Sequence, residues 1–147
     1  MSTDVARPLL VLVLRIGALM TVLAFLTVPL PVESMVSTHR WLGLGELPQA
    51  PIVEYLARSV AAFYGFHGVL LFLLSTDVAR YAPIITYIAV MNVLLGLILV
   101  GIDVHAGLPA WWIVSEGPPV ILTGIIIGLL NRAAGRQRAG SLESPTW

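Results

Sequence analysis

Four stretches of this chain, at about 8–30, 51–75, 82–102 and 109–131, are almost wholly apolar over the length needed to cross a bilayer. A hydrocarbon core about 30 Å thick is spanned by roughly 20 helical residues. Inside it every backbone N–H and C=O needs a partner, so unbroken apolar runs of this length predict helices. Three of the four begin at or near a proline, which suits a first helical turn because its missing N–H would have no acceptor there. Composition agrees. Of 147 residues 58% are hydrophobic and 11% charged, with a mean hydropathy of +0.93, whereas a soluble domain has about 25% charged residues. The predicted class is all-α: an integral membrane four-helix bundle over 1–131, with a polar tail over 132–147 expected to be disordered. Arg15 interrupts the first run and no small-residue cleavage site follows it, so this segment reads as an uncleaved helix rather than a signal peptide.

The eight basic residues are all arginine, there is no cysteine, and the net charge is zero. No disulfide framework or thiolate metal site can form, and no long basic run supports nucleic-acid binding. Arginine distribution sets the expected orientation. Arg7, Arg80, Arg132, Arg136 and Arg138 fall at the amino end, the second-to-third connection and the tail, while the other two connections hold only Arg40. Both termini are therefore expected on the cytoplasmic side of a bacterial inner membrane. Glu33, Glu46 and Asp103 then lie outside, near Glu54, Glu116 and a belt of Trp41, Trp111 and Trp112.

The hexamer Ser2-Thr3-Asp4-Val5-Ala6-Arg7 recurs unchanged as Ser75-Thr76-Asp77-Val78-Ala79-Arg80. Leu47-Pro48 followed by Ile52-Val53-Glu54 is echoed by Leu108-Pro109 followed by Ile113-Val114-Ser115-Glu116. Duplication into two like-oriented helical hairpins explains both echoes, as in membrane proteins built from parallel repeats. Convergence on helix-capping Ser, Thr and Asp explains the first alone. The longer outer loop of the first hairpin, 32–41, places Met35, His39 and Leu42 on one face and predicts a short interfacial helix.

Ionisable groups inside the spans cost roughly 2.5–3.5 kcal/mol each unless paired or snorkelled, so each is expected to have a partner. Glu54 and Arg58 are one turn apart on the second span, and Glu116 lies at the depth of Arg58 on the fourth. A cluster of Glu54, Arg58 and Glu116 is expected, either locking the helices or binding an anion or proton. Gly117-Pro118-Pro119 predicts a break in the fourth helix beside Glu116. His67 and Asn92 reach similar depth and are expected to hydrogen-bond, with haem ligation by His67 alone as an alternative. Small residues line each span: Gly17, Thr21 and Ala24 on the first, Ala57, Ala61, Gly65 and Gly68 on the second, Gly124 and Gly128 on the fourth, and Ala89 and Gly96 in a stripe with Asn92 and Asp103 on the third. Such stripes allow close helix approach.

Glu33, His39, Asp103 and His105 are expected as an outer acidic and histidine face, wetted rather than metal-bound, since no tight ligand spacing occurs. No catalytic motif is present, so no cofactor and no catalytic residue are assigned. Arg15 is expected to reach Asp77 or lipid headgroups.

The size, the acidic first outer loop, the segment from Leu47-Pro48-Gln49-Ala50-Pro51 through Glu54-Tyr55-Leu56-Ala57-Arg58, and Asp77-Val78-Ala79-Arg80-Tyr81-Ala82-Pro83 together resemble the DoxX-like and BphX-like small four-span bacterial membrane proteins. The resemblance implies a four-helix bundle and, by some DoxX relatives, service as a subunit of quinone-linked oxidoreductases. Three functions follow as expectations. They are a non-catalytic scaffold or accessory subunit with a homo-oligomeric or membrane-protein partner; a conduit or binding protein for a small ion, proton or polar solute; and a quinone- or haem-linked redox subunit.

Overall fold

A computed structural model describes residues 5–143, with side chains described through Arg136. Five α-helices occur among the described residues: α1 (Ala6–Val22), α2 (Val32–Trp41), α3 (Pro51–Thr76), α4 (Ala82–His105) and α5 (Ala110–Glu143). A 3-10 turn, Leu23–Thr27, extends α1. Four segments are long and apolar enough to cross a membrane: Ala6–Thr27, Pro51–Thr76, Ala82–His105 and Ala110–Arg136. Large apolar side chains on them face outward, among them Leu12, Phe63, Phe66, Leu97, Ile98 and Leu129. A helix apolar all round is at home in lipid rather than water. The chain is a small multi-pass membrane protein.

It divides into two compact units, Met1–Arg15 with Leu73–Trp147 (unit 1) and Ile16–Phe72 (unit 2). In unit 1 the core contains Leu10, Leu14, Leu74, Ile85 and Ile127, each almost completely enclosed. Its α4–α5 hairpin is set by glycines. A Cβ on Gly96 would lie 2.7 Å from Gly117 O, and one on Gly124 would lie 2.6 Å from Ala89 O. Only glycine permits backbones that close. The hairpin turns at Gly107, whose φ of 69° suits a residue without Cβ. Gly107 N–H donates to Val104 O and Leu108 N–H to Asp103 O, the paired bonds that close a helix C-terminus through a left-handed residue.

Unit 2 follows the same rule. Gly68 abuts Val22 N and Ala18 O, and Gly65 accommodates the Phe25 ring, which meets Phe66 edge-on at 5.2 Å. The expected short helix over 32–41 is α2, closed by Gly43 at φ 73° with Gly43 N–H to Arg40 O and Leu44 N–H to His39 O.

Two expectations are corrected. α5 runs unbroken through Pro118 and Pro119. Prolines within membrane helices are tolerated where a neighbouring helix and local hydroxyls support the backbone. Here Gly117, just before the prolines, lies against Gly96 and Val100 of α4. Second, α5 continues to Glu143, into the segment whose polarity predicts disorder. Ala133, Ala134 and the arginines there are good helix formers. Residues 144–147 lie outside the described residues.

The repeated hexamer occupies two local settings. Its first copy begins among residues outside the described set and continues into α1 at Ala6, whereas Val78-Ala79-Arg80 of the second forms a turn before α4. Ala6 is enclosed and Val5 exposed, while Val78 is enclosed in the second copy. Identical residues thus serve different local structures.

Candidate functional site

Arg58 is a heavily engaged ionisable side chain, with four donor contacts. Sited two turns into α3, it reaches back across unit 2 to the end of the 3-10 turn. Its Nε donates to Glu54 Oε1 at 2.9 Å and its Nη2 lies 2.7 Å from the same oxygen. Nη2 also donates to Leu30 O at 3.0 Å, and Nη1 donates to Val28 O. The sequence explains why Val28 O is available. In Val28-Pro29-Leu30-Pro31 the residue three beyond Val28 is a proline, which has no N–H to return to that carbonyl in a continued 3-10 turn. A guanidinium with five donors in a planar fork can serve a carboxylate and two carbonyls together. With the Arg58 side chain 29% exposed, this is a partly desolvated clamp joining α3 to the exit of α1.

Glu54 also lines a cavity of about 280 Å³ within unit 2, between α2, the loop before α3 and α3 itself. Val32, Met35, Leu47 and Pro48 form much of its wall, and Gln49 adds a polar group. Ligand pockets usually run from about 300 to 1,000 Å³, so this cavity is at the lower limit for a small molecule.

Glu116, the third expected member of the cluster, belongs to unit 1. Its Oε2 accepts from Trp112 Nε1 one turn earlier on α5. Sequence reasoning placed Trp112 in an interfacial belt and missed this bond, although the i, i+4 spacing with a donor-only indole was a legible signal.

His67 is half-buried on α3 in unit 2, and Asn92 is half-buried on α4 in unit 1, with its Cβ against Gly124. Glu33 and His105 are exposed, and His39 is half-buried with Nδ1 3.1 Å from Gly45 O. Asp103 departs from the expected wetted face. It is only 3% exposed, and its Oδ2 has no hydrogen-bond partner among the described residues. Its place on the Ala89, Asn92 and Gly96 stripe turns it into the helix seam, and the stripe outweighs its nearness to the helix end. Among the described residues, no three His, Asp or Glu side chains converge to hold a metal.

Two further polar anchors lie in unit 1. Asn131 Nδ2 donates to Ala82 O and Thr86 Oγ1, both at 2.9 Å, tying α5 to the start of α4. Arg15 Nε donates to Ser75 Oγ at 3.4 Å, not to Asp77, whose Oδ1 accepts the Arg80 backbone N–H at 3.1 Å. Asn131 was the end of a predicted span and carried no site signal.

Comparison with protein-family models, with curated proteins and with solved structures finds no match to this chain.

Proposed function

We propose that this chain is a non-catalytic scaffold or accessory subunit of a membrane complex, in the cytoplasmic membrane with both termini inside. The observation that carries the reading is how Arg58 is used. Its donors are directed to Glu54, Val28 O and Leu30 O, contacts that hold helices rather than face a substrate. Glu116 is likewise engaged by Trp112 of its own helix, and Asn131 by Ala82 O at the start of α4. The resemblance to DoxX-like proteins and the paired sequence echoes, read as two like-oriented hairpins, belong to the same proposal. Native mass spectrometry of gently extracted protein tests it. A co-purifying membrane protein or a homo-oligomer is expected, and a strictly monomeric, partnerless particle overturns it.

One observation favours a second reading, a conduit or binding protein for a proton or small cation. The enclosed Asp103 carboxylate has one oxygen without a hydrogen-bond partner among the described residues. Burying such a group is costly unless it is neutralised. Proteoliposome flux abolished by Asp103→Asn supports this reading, whereas unchanged flux removes it.

A further inference from the structure

The described charges of unit 1 are segregated along its hairpin. Asp103 and Glu116 lie on either side of the Gly107 turn, near its mouth. Arg7, Arg15, Arg80, Arg132 and Arg136 lie toward the opposite end, with Asp77 the only acid there among the residues whose side chains are described. None of these five arginines forms an ion pair with a described carboxylate.

Three of them fall on the elements that meet at the turn between α3 and α4. Arg15 is fastened to Ser75 in the last turn of α3. Arg80 follows in the turn itself, over the ring of Tyr81 at 5.7 Å. Asn131, bound to Ala82 O and Thr86 Oγ1, brings the adjacent Arg132 to the start of α4. Arg15, Arg80 and Arg132 are all exposed. Asp77, whose Oδ1 accepts the Arg80 backbone N–H, carries a single negative charge, which leaves the three arginines in excess.

Arg15 differs from an ordinary interfacial arginine. It lies nine residues after the start of α1, about 14 Å along the helix axis. Leu12, one turn earlier on the same face, is exposed, as is Ile84 near the start of α4. A ligand here meets cationic donors beside apolar surface, so it must carry an anion and hydrocarbon together.

We infer that this end of unit 1 binds the phosphate headgroup of an anionic phospholipid, held by Arg15, Arg80 and Arg132, with the acyl chains along Leu12 and Ile84. Arg15 retains both Nη groups for phosphate once Nε is committed to Ser75, and guanidinium suits phosphate because its donors pair two at a time. Basic pockets between membrane helices recognise anionic headgroups by this chemistry.

The test uses the full chain in mild detergent, titrated with phosphatidylglycerol or phosphatidylcholine of identical acyl chains, with retained lipid read by native mass spectrometry. Phosphatidylglycerol is expected to be retained at least about tenfold more strongly, and each Arg→Gln change at positions 15, 80 and 132 is expected to lower its retention about fivefold. Arg15→Lys keeps the charge and is expected to keep most of the preference, which separates loss of charge from loss of fold. Millimolar inorganic phosphate is expected not to displace the lipid. Equal retention of both lipids by the unaltered protein overturns the inference, without reliance on any variant. So does full preference in the triple Gln variant. Displacement by inorganic phosphate also overturns it, marking a soluble-anion site instead.

Discussion

Adding one methyl group at either of two glycines on α4 should move stability in opposite directions. A Cβ on Gly96 would sit 2.6 Å from Ile121 Cγ1, 2.7 Å from Gly117 O and 2.9 Å from Ile121 N. Two of the three obstacles are backbone atoms and cannot rotate away. Overpacking typically costs about 1–3 kcal/mol, and rigid obstacles place Gly96→Ala near the upper value, about 3 kcal/mol. Higher helix propensity of alanine returns about 1 kcal/mol, so the net loss is about 2 kcal/mol. Gly101, five residues later on the same helix, has nothing within 4 Å of its would-be Cβ. There only the propensity gain of about 1 kcal/mol operates, and the two variants should differ by about 3 kcal/mol. Reversible unfolding of purified protein by increasing sodium dodecyl sulfate in mixed micelles, followed by far-ultraviolet circular dichroism, measures the gap. Equal stability of the two variants, or Gly96→Ala the more stable, refutes the close-packed seam.

Arg58→Ala should cost about 2–4 kcal/mol, because it leaves Val28 O and Leu30 O without their donor, while Glu54→Gln should cost about 1 kcal/mol or less; the same unfolding measurement ranks them. Asp103→Leu should leave stability unchanged or raise it, since it removes a buried oxygen that lacks a partner; a loss above about 2 kcal/mol would mean that the carboxylate is paired. Gly107→Ala should cost about 1–2 kcal/mol purely from its left-handed backbone, with Gly107→Asn milder, and proteolysis of the α4–α5 connection should report the loosened turn. Asn131→Leu should cost about 1–3 kcal/mol through its two lost bonds to α4, read by accelerated hydrogen exchange at the start of that helix.

The helices were legible because the bilayer demands a length and an apolarity that few sequences meet by accident. α2 was legible too, over its full range, because Met35, His39 and Leu42 share a helical face. The Glu54–Arg58 contact followed from spacing alone. What spacing could not supply was the carbonyl half of the Arg58 clamp, which depends on where the chain leaves α1 and folds back. Pro118-Pro119 misled for a related reason. Local rules forbid two prolines inside a helix, but the Gly96–Gly117 contact supplies support from another helix. Asp103 carried two signals, nearness to a helix end and membership of a small-residue stripe, and only packing decided between them.

The four candidate spans contain 22, 26, 24 and 27 residues. At 1.5 Å per residue the shortest would reach about 33 Å as regular helix and the longest about 40 Å, against an average hydrocarbon layer of about 30 Å. Every one of these rods is too tall for a thin lipid sheet. Where the apolar part of such a rod exceeds the lipid it leans or thickens the lipid around it, and either response costs a fraction of a kcal/mol for each ångström of misfit. Offered bilayers of graded thickness, the molecule is expected to partition toward the thicker ones.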